Sequence, residues 1–337
     1  METKLKIKDS LYILEDFEGN YIFLSTATRR IKKFQVDSLV KDLVNLLELE
    51  IRKPSLIEEL SKKYQRGDIE SCINALEKEG IISRHEKELP IGKYYKQALF
   101  LDEITDSRAE TLNLQNNLEK SVIGVFGIGG IGTWIVNGLS QIGIGEIRIV
   151  DPDIVSESNL NRQLFFTSND VGKYKVEVIK EKLTDTKIIP FVKKVEPNSD
   201  LEGIIKGCNF LVNCADSPSI SETTKIINSY ASKMKGIPYC VSGGYNLHLG
   251  MVGPIIIPGK TKSFEDFLNY QKSQDPLKDF KIIRDIKDSG NIGPIAGAIA
   301  NIQTMEIFKY LIGKGKLNIN RFAEIDFMDL SVEWRDF

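Results

Sequence analysis

The chain has 337 residues, of which 42% are hydrophobic and 27% charged, and its formal net charge is -2. This length holds one large domain and one small one, with the composition of an ordinary soluble globular protein. The charge leaves no basic footprint for nucleic acid. There is no apolar run of about 20 residues to cross a membrane and no signal-peptide pattern, so a cytoplasmic protein is expected. Cys72, Cys208, Cys214 and Cys240 are scattered without a Cys-x-x-Cys pair, which argues against a disulfide framework or a cysteine zinc site. His85 and His248 are the only histidines, so a mechanism built on a histidine base has few candidates.

Residues 1–87 read as a separate α+β unit. Apolar runs at 11–14 and 21–24 flank Glu18-Gly19-Asn20, a hairpin signal. Phe34, Leu39, Leu43, Leu46 and Leu47 have the spacing of one helical face. Pro54-Ser55 opens a second helix carrying Leu56, Ile57, Leu60 and Tyr64. Residues 69–76 form a third, closing through Gly80-Ile81-Ile82 into a strand. Short strands with three helices make a small winged-helix-like module. Its order and its closing run, residues 76–83, resemble the PqqD-like peptide-recognition domain of ribosomal-peptide maturation enzymes. In that reading the edge strand and third helix form a groove, and a leader peptide adds as an extra strand. The competing reading is a structural appendage. Lys32-Lys33 and Lys62-Lys63 read as solvated faces.

Residues 88–120 connect this unit to the stretch that organises the rest, residues 121–175. Val122, Ile123, Val125 and Phe126 form a buried parallel strand. Gly127, Gly129, Gly130 and Gly132 follow as a Gly-x-Gly-x-x-Gly loop. Residues 131–143 have helical spacing, and a second strand at 147–150 ends on Asp151. This is the dinucleotide fingerprint in its strand–helix–strand context. The glycines let backbone approach phosphates, and the helix N-terminus offers unpaired N–H groups and partial positive charge. Asp151 is placed to accept from ribose hydroxyls. A fingerprint alone is also compatible with a tight turn.

The alternation continues: a helix at 176–183, a strand at 188–192, and a strand at 210–213 that delivers Cys214-Ala215-Asp216-Ser217-Pro218. Asp216 stands at a strand's C-terminal end, where open α/β sheets carry their chemistry. An Asp before Ser-Pro is equally a helix-cap pattern. Residues 220–234 read as a helix, and 238–242 as a strand ending at Gly243-Gly244. Residues 247–258 read as antiparallel strands, and 259–291 as a polar, mobile crossover above the site. A helix at 291–310 has Ala296, Gly297, Ala298 and Ala300 at close-packing positions, and the last strands fall at 319–334. Cys214 and Cys240 read as core residues rather than nucleophiles.

Four blocks in order resemble the ThiF/MoeB/E1-like family of adenylating enzymes. They are the glycine loop, Asp151-Pro152-Asp153, Ser158-Asn159-Leu160-Asn161-Arg162-Gln163, and Asp170-Val171-Gly172-Lys173-Tyr174-Lys175. The resemblance implies a Rossmann-like α/β domain over 88–337 with a mostly parallel sheet, and ATP as the nucleotide. It places nucleotide contacts at Gly127, Gly129, Gly130, Gly132, Asp151, Asp153, Asn159, Arg162, Gln163 and Lys175. Arg162, Lys175 and Asp216 carry the chemistry, with Asp216 holding Mg²⁺. A homodimer is implied, in which Lys93 and Lys96 replace the basic residues that relatives lend to the partner subunit's triphosphate. Lysine lacks the bidentate fork of arginine. Many relatives hold zinc with two Cys-x-x-Cys pairs; Ser263 and Asp266 stand at the first pair's positions, so no zinc is expected. Fusion to a recognition unit points to the peptide-modifying branch, similar to microcin C and pantocin-type maturation enzymes. These activate a carboxylate of a ribosomally made precursor peptide whose leader the first unit binds. The alternatives are a sulfur-carrier or ubiquitin-like protein activator and a non-catalytic partner that only presents peptide.

Overall fold

The computed structural model describes residues 3–337 except 27, 235, 243, 278, 282 and 285–289. The chain divides into two compact units, Met1–Asn116 and Asn117–Phe337. The first unit opens with β1 (Lys4–Ile7) and an antiparallel meander of β2 (Leu11–Glu15), β3 (Tyr21–Ser25) and β4 (Ile31–Phe34). The β2–β3 turn closes on Asp16, whose Oδ1 accepts from the N–H groups of Glu18 and Asn20, both at 2.9 Å. Gly19 between them has a φ of 81°, a left-handed conformation that suits glycine. Then come α1 (Ser38–Leu47), β5 (Ile51–Arg52), α2 (Lys53–Leu60), α3 (Arg66–Lys78) and β6 (Ile82–His85). β5 and β6 flank β1 as a second antiparallel sheet. Leu5, Phe23, Leu43, Leu47, Leu56, Ile69 and Ile73 are buried in one core.

Two sequence expectations change here. Phe34, read as part of a helical face, belongs to β4 and packs its ring edge-on against Phe23 at 5.8 Å. The helix starts later because Asp37 caps it, accepting from the Val40 N–H at 2.9 Å. The first unit also runs past residue 87. It takes in α4 (Tyr95–Ile104), where Lys8 Nζ donates to the carbonyls of Glu103 and Thr105 at 3.0 and 2.9 Å. α5 (Arg108–Lys120) runs across the division.

The second unit follows the βα alternation. In order come β7 (Val122–Phe126), α6 (Gly130–Gln141), β8 (Glu146–Val150), α7 (Lys175–Lys182), β9 (Lys187–Phe191), α8 (Glu202–Ile205), β10 (Phe210–Asn213), α9 (Ile220–Lys233) and β11 (Tyr239–Val241). β12 (Tyr245–Asn246), β13 (Leu249–Val252), β14 (Ile255–Ile256), α10 (Phe264–Gln274), α11 (Gly293–Ile312), β15 (Arg321–Asp326) and β16 (Ser331–Asp336) complete it. The main sheet has the order β14-β11-β10-β7-β8-β9, parallel except for the antiparallel edge β14. β7 and β10 are almost wholly buried apolar runs because helices cover both faces. The chain leaves β7 toward β8 on one side and later adds β10 on the other. That reversal opens a crevice beyond the C-terminal ends of β7 and β10.

A second, antiparallel sheet has the order β12-β13-β15-β16. α11 lies against α6, where a Cβ on Gly297 would come within 3.3 Å of the Trp134 ring and one on Gly138 within 3.0 Å of Thr304. The crossover expected at 259–291 contains a regular element, α10; residues 278, 282 and 285–289 of that stretch lie outside the described residues. Among the described residues no helix is long and apolar enough to cross a membrane.

Candidate active site

The glycine loop joins β7 to α6, and its glycines serve different ends. A Cβ on Gly127 would stand 2.5 Å from the backbone of Cys214 and Ala215, and one on Gly132 would stand 2.0 Å from the Gly127 carbonyl oxygen. Close backbone packing requires both: Gly127 lies against the chain that follows β10, and Gly132 against the loop's own Gly127 carbonyl. A Cβ on Gly129 would meet nothing within 4 Å. Gly129 is the N-cap of α6 and brings no capping side chain. The first-turn N–H groups of α6 are thus left open to an anion at the positive end of the helix dipole.

Asp151, at the end of β8, orders this loop. Its Oδ2 accepts from the Ile128 N–H at 2.6 Å and its Oδ1 from the Asp153 N–H at 2.8 Å. It is 5% exposed, and burial pushes its carboxyl above the usual carboxylate range, opposed by the Lys175 ammonium. Lys175 Nζ lies 2.8 Å from Asp153 Oδ2 and 3.9 Å from Asp151 Oδ1. Lys175, distant in sequence, thus joins the buried carboxylate of Asp151 and the exposed one of Asp153 in one charge cluster at the end of β8.

Asn159 and Arg162 come from the loop after β8. Asn159 Oδ1 accepts from the Ser156 N–H at 3.0 Å in a reciprocal cap of a short 3-10 turn, which leaves its amide N–H groups as donors. Arg162 is half-buried and pinned twice. Its Nη1 donates to the Ser158 carbonyl and to Asn161 Oδ1, and its own carbonyl accepts from Trp134 Nε1 at 3.2 Å. Gln163 is 4% exposed, and its buried Oε1 has no hydrogen-bond partner. An unpaired buried acceptor is costly, and this one lines the crevice.

Asp216 follows β10. Its side chain is exposed, and among the described residues nothing hydrogen-bonds or ion-pairs with it. It does not cap a helix. Ser219 does that for α9, accepting from the Glu222 N–H at 3.2 Å. The glycine loop, Asp151, Asp153, Asn159, Arg162, Gln163, Lys175 and Asp216 all line one crevice of about 1270 Å³. Lys93 and Lys96 belong to the other unit and lie over the rings of Tyr94 and Tyr95, at 5.3 and 5.9 Å from their centroids.

Cys214 also lines the crevice, but burial pushes its thiol up to about 12, and Cys240 is likewise raised. Neither offers a thiolate at neutral pH. Ser263 and Asp266 form a capping box on α10. Asp266 Oδ2 accepts from the Ser263 N–H and hydroxyl at 2.8 and 2.7 Å, and Ser263 Oγ accepts from the Asp266 N–H at 3.2 Å. Among the described residues no three His, Cys, Asp or Glu side chains are grouped to hold a metal ion.

The sequence model of the ThiF family matches residues 95–337. The chain belongs to the ThiF family. Its relatives are E1-like adenylating enzymes, which use ATP. One is the SAMP-activating enzyme E1 of Haloferax volcanii, 25% identical over 243 residues that span 71% of this chain and 83% of that protein. Another is the adenylyltransferase and sulfurtransferase UBA4 of Saccharomyces cerevisiae, 28% identical over 204 residues, 59% of this chain and 43% of the yeast protein. Among solved structures, E. coli MccB with ATP has the same fold, with a TM-score of 0.73 at 19% identity over 99% of this chain and 96% of that one. PaaA is similar, with a TM-score of 0.73 at 22% identity over 98% and 99% of the two chains.

The ThiF-family crevice has a second wall that sequence reasoning did not find. Tyr245 and Asn246 of β12, Leu249 and Met251 of β13, and Glu324 and Arg335 of the last hairpin line it. Arg335 Nη2 sits 2.7 Å from Glu324 and 2.9 Å from Glu333, which face each other across β15 and β16. The only sequence signal for this wall was a run of short strands, and nothing in that run says which residues face the glycine loop.

Proposed function

We propose that this protein adenylates a carboxylate of a ribosomally made precursor peptide, with the first unit binding the leader. The observation that carries the reading is Asp216: an exposed carboxylate, unpaired among the described residues, that lines one crevice with a helix N-terminus, Arg162 and Lys175. Magnesium takes one or two protein carboxylates and completes its shell with phosphate oxygens and water. A lone Asp216 suits that mode, whereas the absence of a three-ligand group among the described residues does not suit an all-protein cage. Asp216 would hold the ion, which would supply charge neutralisation to the phosphates.

The chain's own residues supply the rest. The substrate carboxylate attacks the α-phosphorus of ATP, the bond to the bridging oxygen breaks, and pyrophosphate leaves. No proton need be removed from an ionised carboxylate, which fits a site without histidine. The α6 first turn and Arg162 stabilise charge on the phosphates, and Lys175 does so by exchanging part of its contact with Asp153. Asp151 and Asp153 retain lone pairs for ribose hydroxyls, and Asn159 and Gln163 orient the nucleotide. In a homodimer Lys93 and Lys96 would reach the partner subunit's triphosphate.

What favours a peptide over a sulfur carrier is the first unit. Likeness to MccB and PaaA covers nearly the whole chain, whereas curated relatives match 49% to 79% of it. MccB is described as a microcin C7 biosynthetic enzyme and is known in complex with N-formylated MccA. The two antiparallel sheets of the first unit, with helices α1, α2 and α3, are compatible with a PqqD-like peptide-binding module. Mass spectrometry of a precursor peptide encoded beside the gene, incubated with the protein, ATP and magnesium, tests the reading. The expected product carries an ATP-dependent mass change on its core segment and none when ATP is withheld. An unchanged peptide counts against the proposal.

A further inference from the structure

Tyr245 opens β12, outside the parallel sheet, yet its hydroxyl lies 2.7 Å from the point where a Cβ of Gly130 would be. The same point is 3.7 Å from Arg162 Cδ and 3.6 Å from the Ala296 methyl. Gly130 is the first residue of α6, and its φ is not in the left-handed region. Its backbone therefore does not demand glycine, but a Cβ there would displace the Tyr245 hydroxyl from its place. The glycine fingerprint spends this position on a side chain of the opposite wall.

The phenol is half-buried between a helix N-terminus and a guanidinium. Burial pushes it above the usual phenol range, and Arg162 opposes that shift. It is thus a neutral O–H donor at neutral pH. Arg162 carries donors only, so it can give a hydrogen bond to the phenol oxygen but cannot take the phenol hydrogen. Among the described residues no protein acceptor takes that hydrogen either. An anion held by the first turn of α6 and by Arg162 is the acceptor that this geometry leaves open.

We propose that Tyr245 is a positioning residue for the nucleotide: it donates its O–H to a phosphate oxygen bound at the first turn of α6, beside Arg162, and Gly130 is glycine to admit it. The inference rests on ATP as the ligand and adds a residue that the family blocks do not contain.

The test is calorimetric titration of the full chain with ATP-magnesium and, separately, with adenosine. The proteins are wild type, Tyr245→Phe, Gly130→Ala and the double variant. Tyr245→Phe should weaken ATP about tenfold, the scale of one hydrogen bond to a charged group, and leave adenosine affinity unchanged. Gly130→Ala, whose methyl meets the hydroxyl, should show a similar phosphate-specific loss, and the double variant should be no worse than either single one. Equal losses for ATP and adenosine, no loss in Tyr245→Phe, or losses that multiply in the double variant overturn the proposal. Wild-type protein that binds adenosine no worse than ATP overturns the phosphate reading itself. If Gly130→Ala does not fold, the ATP-against-adenosine comparison in Tyr245→Phe decides alone.

Discussion

Asp216 and Lys175 show how differently two charges of one site are held. Lys175 is buried and paired with Asp153 at 2.8 Å, so removing it would leave carboxylates unbalanced under the loop. Asp216 is exposed with no partner among the described residues, so its loss should barely touch the fold. Asp216→Asn should leave the melting temperature near wild type and lower the rate of pyrophosphate release by about 100-fold, the scale expected when one charged metal ligand is lost. Stopped assays of pyrophosphate alongside a thermal melt check both halves. Near-normal release would remove Asp216 from the chemistry. That Arg162, Lys175 and Asp216 share one crevice was legible because each sits in a run or strand end with a recognisable pattern. Tyr245 was not: it sits on a two-residue strand, and only the long-range topology brings it over Gly130.

The elements show the same division between local and long-range information. β7 and β10 were readable because a strand buried on both faces is a nearly continuous apolar run. α10 was missed because its apolar residues are few, Phe264, Phe267 and Leu268, within a polar stretch. Its start was present in the sequence as Ser263-x-x-Asp266, the spacing of a capping box. Ser263→Ala should cost about 1 kcal/mol of stability, typical of a lost N-cap, read as a lower denaturation midpoint. In the first unit, Arg84 donates through Nε and Nη2 to Glu77 at 2.8 and 2.7 Å, joining β6 to α3. That bidentate pair lowers the Glu77 carboxyl below its ordinary value of 4.5. The group titrates lower folded than unfolded, so its stabilising effect is full above pH 4.5 and fades as pH falls through the lowered folded value. Glu77→Gln should flatten that part of the acid-stability profile, measured by chemical denaturation at stepped pH. An unchanged profile would show that the pair contributes nothing to it.

At the scale of the whole molecule, the described residues that line the crevice all lie in the second unit and none in the first. Such a split separates affinity from chemistry. A leader bound by one unit raises the effective concentration of the reacting end without tight contacts around it. A synthetic leader segment without the core should therefore compete with full precursor for the enzyme while leaving ATP binding unchanged, as followed by fluorescence anisotropy and calorimetry. The change of pattern in the sequence falls near residue 88, whereas the compact units divide after residue 116; α4 is tied to the β1–β2 turn through Lys8, a contact that no local pattern announces.

The most direct test of the account is ATP–pyrophosphate exchange by the full chain with magnesium, run with the neighbouring precursor peptide, with a sulfur-carrier protein ending in Gly-Gly, and with neither. The account predicts exchange that depends on the peptide and is absent with the carrier. Exchange supported by the carrier and not by the peptide would contradict it.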